Sequence, residues 1–167
     1  MVKALTLWQP WASLVVAGAK PYEFRGWRAP RSIVGQRIVI HAAARKMDRG
    51  EVNYLLGVLG KRAQPDYADL AAETCLLADQ AIPVLARALN EGLPMSAGLG
   101  TAIVGEPRSG AEIGADFGAL NAVNDSDREL HCNWGWPMLD IERWPEPIPM
   151  RGAQGLWTWP TPERIGL

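Results

Sequence analysis

The chain has 167 residues, 48 % of them apolar and 21 % charged, with a net charge of −1. That suits one soluble domain with its own core. No run of about 18 apolar residues predicts a membrane span, and "MVKALTLWQPW" has no apolar stretch ending in a cleavage site, which excludes a secretory signal. Two cysteines, Cys75 and Cys132, are too few for a disulfide framework or a metal cluster, so a reducing, cytoplasmic setting is expected.

The charge is unevenly ordered. Residues 1–62 carry eleven Lys or Arg against three acids, or +8, and residues 63–167 carry six against fifteen, or −9. Either the basic part forms a polyanion-binding face, or folding interleaves the two parts and cancels the field.

In chain order, "KALTLW" (3–8) alternates and predicts a strand. Pro10 and Gly18 bracket a short helix over about 10–17. "KPYEFRGW" predicts a second strand, with Tyr22 and Phe24 on one side and Glu23, Arg25 and Trp27 on the other. "QRIVIHAA" is a third, placing His41 on the side of Val39. Asp48 with Glu51 three residues on is a capping box and starts a helix. Residues 65–94 are the longest helical stretch, which Pro83 interrupts with a kink or a break into two helices.

"GLGTAIVGEP" predicts a central strand, and residues 107–130 a long connection of irregular pieces. "NWGWPMLDIERW" is a further strand, "PEPIP" an extended spacer, and "QGLWTWP" the strand that closes the sheet, with Leu156 and Thr158 opposed to Trp157 and Trp159. This order is an α+β plan with a small β-barrel, flanking helices and a helical insertion at 63–93.

Three stretches together resemble the ASCH domain, named after activating signal cointegrator-1 homology, of the PUA-like superfamily of small β-barrels. They are "LTLWQPWASLVVAGAKPYEFRGW", which contains G-x-K-x-x-E-x-R as Gly18, Lys20, Glu23 and Arg25; "GQRIVIHAAARK"; and "PEPIPMRGAQGLWTWP". The resemblance covers about 1–62 and 95–160. It implies RNA or modified-nucleotide binding in a cleft that holds Lys20, Glu23 and Arg25.

Physical chemistry gives each candidate a role beside a structural alternative. Glu23, between two cations, stays ionised and holds them. Arg25 can fork onto a phosphate or a base edge, and Lys20 supplies a point charge. The alternative is an ion-pair network that shuts one end of the barrel. Each tryptophan is first of all a core residue, and Trp27, then Trp8, are the candidates to form a stacking face instead. Gln9 either caps the helix or reads a base edge. His41 is either a hydrogen-bonded structural residue or a cleft residue. Arg45 and Lys46 either grip phosphates or lie idle at the surface. Arg151 and Gln154 either approach the cleft or brace a turn.

Some members of the resembled family are amidohydrolases on N4-acylated cytidine with a Thr-Lys-Glu set. Lys20 matches that lysine, but Glu23 stands at the nucleophile position, and Ser13 and Tyr22 are at the wrong spacing. A hydrolase, on a nucleoside derivative or an RNA phosphodiester with Lys20 and Glu23 as acid–base groups, is therefore the second reading. A protein-interaction domain that docks through 63–93 is the third. There is no Walker loop and no G-x-G-x-x-G after a strand, so no cofactor is expected, and no metal site.

Overall fold

The computed structural model describes residues 1–120 and 134–160. Among them, β1 (Lys3–Leu7), α1 (Trp11–Val16), β2 (Tyr22–Arg25) and β3 (Arg37–Ala42) come first. Three helices follow, α2 (Arg49–Gly60), α3 (Pro65–Glu73) and α4 (Ala78–Asn90). Then come β4 (Ala97–Val104), β5 (Arg108–Ser109), α5 (Gly110–Asp116), β6 (Trp134–Pro149) and β7 (Leu156–Thr158).

The strands form one strongly curled half-barrel sheet in the order β2-β6-β4-β3-β1-β7, with β5 beside β6. β1 and β3 run parallel; the other pairs are antiparallel. The expected alternation sorts the core. Leu5, Leu7, Ile38 and Ile40 pack with α1 and Trp136, while Ala4 and Val39 pack against Trp159 on the other face. Helices α2, α3 and α4 form a separate apolar cluster on Leu14 and Ala19 at the end of α1.

Local signals explain most boundaries. Asp48 Oδ1 accepts from the N–H groups of Gly50 and Glu51 and starts α2. Gly18, at φ +73°, ends α1: Gly18 N–H bonds Val15 O, and Ala19 and Lys20 N–H both bond Leu14 O. This left-handed turn needs glycine, and it sends Lys20 back beneath the helix.

Three expectations need correction. Pro83 lies inside an unbroken α4, and the break falls earlier, at Thr74–Leu77, where Cys75 has φ +49°. A single proline removes one N–H bond to Asp79 O, which its exposed position leaves accessible to water. The stretch 107–130 is not all irregular: Ser109 and Glu112 form a capping box that begins α5. Residues 121–130 of that stretch, and His131 and Cys132 after it, lie outside the described residues. "PEPIP" is no spacer, since β6 continues through it and re-pairs Ile148 with Gly98 and Pro149 with Ala97.

The charge segregation is partly undone by folding. Arg28 pairs with Glu106 at 2.9 Å, Arg62 with Asp79 at 2.9 Å, and Arg37 with Asp140 and Glu142. Arg31, Arg45 and Lys46 stay exposed with no acidic partner among the described residues.

Candidate functional site

The charged string folds into one connected group. Lys20 leaves the Gly18 turn and runs between two rings, its Nζ 5.5 Å from the centre of Trp11 and 5.1 Å from Phe24. Its ammonium donates to Tyr22 O at 2.8 Å and sits 3.4 Å from Glu23 Oε2. Glu23 Oε1 lies 3.0 Å from Arg25 Nε. Strand geometry produces this: residues two apart share a face, so the carboxylate reaches forward to Arg25 and back to Lys20. The Arg25 Nε–H does not point along its short contact, so the pair is ionic rather than an aligned hydrogen bond.

Burial grades along the group. Lys20 is 1 % exposed and Glu23 6 %, whereas the Arg25 side chain is 20 % exposed. The Trp27 ring, 5.9 Å from the Arg25 guanidinium, is 53 % exposed. Trp27 lies just past the end of β2, and its carbonyl accepts from Trp136 Nε1 at 3.0 Å, which fixes its backbone over the core. Lys20 and Glu23 therefore lie beneath the surface, and Arg25 and Trp27 form it. The Nη donors of Arg25 have no acceptor among the described residues.

The other sequence candidates gather elsewhere. β1 and β3 end side by side, with Ala43 N–H bonded to Leu7 O, and Trp8 and Arg45 extend from those ends. The Arg45 guanidinium lies 3.7 Å from the ring centre of Trp8, which is 50 % exposed. Lys46 is exposed beside them. Arg151 and Gln154 are exposed in the loop that enters β7, at the same end of the sheet, where Gly155 O accepts from Thr6 N–H.

Gln9 and His41 are buried and committed to protein partners. Gln9 Nε2 donates to Ser13 Oγ at 2.8 Å and Pro94 O at 2.7 Å, and its Oε1 accepts from Ser13 N–H. The amide braces α1 and leaves little for a base edge. His41 Nε2 lies 2.9 Å from Met150 O, which can only accept, so that nitrogen carries the proton. Nδ1 then accepts from the Thr6 hydroxyl, which itself accepts from Trp157 Nε1. Burial lowers the His41 pKa, partly offset by the bond to Met150 O. This chain of bonds fastens β7 and its loop to β1 and β3.

Two of the hollows on the described surface measure about 350 and about 430 Å³, and Lys20, Glu23 and Arg25 line neither. No group of three or more His, Cys, Asp or Glu able to hold a metal exists among the described residues. No helix among them is long and apolar enough to cross a membrane. Sequence reasoning missed Arg87 and Arg143, which border the first hollow. The signal was the run "RWPEP", whose two prolines mark a place where a strand cannot pair.

A search of curated proteins finds no match. The ASCH domain family model matches residues 5–90, just over half the chain and inclusive of the G-x-K-x-x-E-x-R string. That family lies in the PUA-like superfamily and suggests RNA binding or a related activity in general. With its matched family model, its curled half-barrel and its buried Lys–Glu pair under an arginine, the chain belongs to the ASCH domain family.

Proposed function

We propose that this protein binds single-stranded RNA at the Arg25–Trp27 surface, with Lys20 and Glu23 as the support beneath it. The observation that carries this is the state of Arg25. Its Nε is held by a buried carboxylate, while its Nη donors meet no acceptor among the described residues and a half-exposed indole stands beside them. A guanidinium fixed at one nitrogen loses little freedom when its outer fork takes a phosphate or a base edge. Trp27 offers any base a stacking face, with no need to read its sequence. Arg45 on Trp8, with Lys46 and Arg151, supplies further positive charge at the strand ends.

Hydrolysis draws no comparable support. Glu23 stands at the nucleophile position, and its carboxylate is shared between two cations.

The test is fluorescence anisotropy with a labelled oligouridylate. Wild-type affinity falls with salt, at a log–log slope of about −0.7 per phosphate contact. Arg25→Ala weakens binding about tenfold or more, and Trp27→Ala by ~1–3 kcal/mol, with unchanged thermal unfolding. Unaltered affinity in folded Arg25→Ala overturns the proposal.

A further inference from the structure

The pairing of β6 with β4 is uneven. Gly98 faces Ile148 and Gly100 faces Arg143, so Leu99 alone is opposed by Trp144, Pro145, Glu146 and Pro147. The two prolines have no N–H for the ladder, and the segment bulges away from it. Glycine makes the bulge fit. A Cβ on Gly98 would lie 2.7 Å from the rings of Trp144 and Trp159, and one on Gly100 would lie 2.3 Å from Glu142 O. Bare backbone thus lets the Trp144 ring rest on β4.

Across from the bulge stands α4. Pro83 and Arg87, four residues apart, share a helix face and border the same hollow as Arg143 and Trp144. Ser13 of α1 completes one wall. The hollow, open on one side to solvent, measures about 350 Å³, within the range of small-molecule sites. Among the described residues, Arg87 and Arg143 are the charged ones of its lining, and no acid joins them. Neither guanidinium has a hydrogen bond or ion pair among the described residues. Two unneutralised guanidiniums repel a cation and lose hydration to a purely apolar guest, so the lining selects an anion. Trp144 and the prolines select a flat, apolar body to carry it.

We propose that this pocket binds a phosphomonoester of an alcohol that also carries a planar ring, with Arg87 and Arg143 on the phosphate and Trp144 against the ring. A free nucleoside monophosphate and the 5′-phosphorylated end of a strand share that chemistry. The pocket has no lining residue in common with the Arg25–Trp27 surface, so either site can fail without the other.

The test is calorimetric titration of the whole chain with uridine 5′-monophosphate, uridine and inorganic phosphate. The monophosphate binds saturably, at least about tenfold tighter than either fragment. Arg87→Ala and Arg143→Ala each weaken it about tenfold, with unchanged thermal unfolding, while Arg25→Ala leaves it intact. Tighter binding of a 5′-phosphorylated oligouridylate than of its 5′-hydroxyl form supports the strand end; equal binding supports the free nucleotide. The proposal is overturned if uridine binds as well as its monophosphate. It is equally overturned if the folded Arg87→Ala/Arg143→Ala variant binds like wild type, or if Arg25→Ala abolishes monophosphate binding.

Discussion

Replacing Glu23 by glutamine removes one negative charge from between two cations and changes little else. The Lys20 ammonium is 3.4 Å from Glu23 Oε2, and the two side chains are 2 % and 7 % exposed. At an effective dielectric of about 20 the attraction at that distance is about 5 kcal/mol. Removing one member of a buried pair costs about 3–5 kcal/mol, because the other charge loses its counter-charge. The two figures agree. Arg25 adds less, since its partly exposed side chain is screened by water. Against a typical domain stability of about 5–15 kcal/mol, Glu23→Gln should remove a large fraction. Urea unfolding followed by far-ultraviolet circular dichroism reads this as a lowered midpoint at constant slope. The Lys20→Met/Glu23→Gln double variant should lose at least about 1 kcal/mol less than the sum of the singles, as coupled groups do. A Glu23→Gln variant within about 1 kcal/mol of wild type would show that water reaches this group, and would refute the picture of a buried support beneath Arg25.

Other consequences follow from single contacts. Burial lowers the His41 pKa, so below about pH 6.5 the unfolded chain takes up a proton that the folded one refuses. This residue's contribution should be constant above about pH 7.5, with stability falling toward acid by at most about 1.4 kcal/mol per pH unit. His41→Gln should flatten that slope in urea titrations across the same range; an unchanged slope would assign it to other groups. Gly100→Ala forces its new Cβ against the Glu142 carbonyl, a backbone atom that cannot swing aside. It should cost about 1–3 kcal/mol, seen as a lowered Tm, and weaken monophosphate binding at the bulge. A wild-type Tm in that variant would show that β6 slides freely on β4.

How far the sequence speaks for the fold depends on the range of each signal. β1, β3 and β7 were legible because period-two alternation separates residues that face different layers, as Ile38 and Ile40 do from Val39. The start of α2 was legible because its cap lies within three residues. Ser109-x-x-Glu112 carried the same signal for α5 but lay among few apolar residues, so the helix was overlooked. Pro83 misled because a helix end was inferred from one missing donor, while the actual break at Thr74–Leu77 turns on a left-handed Cys75. At the candidate site, spacing alone placed Glu23 and Arg25 on one face, as found. Depth was not legible. Burial of Lys20 depends on Trp11 and Phe24 closing over it, and that depends on tertiary packing. The pocket at Arg87 and Arg143 was illegible for the same reason: the two arginines are 56 residues apart in sequence and meet only in the fold.

Eight tryptophans supply a direct reporter for the binding surface. The measurement is a ¹H–¹⁵N correlation spectrum of their indole N–H groups during titration with a short single-stranded RNA. The Trp27 signal should move with saturation, while that of the buried Trp159, packed on the other face of the sheet, stays in place. A Trp27 signal that stays fixed at full saturation, with the shifts confined to other rings, would contradict RNA binding at Arg25 and Trp27.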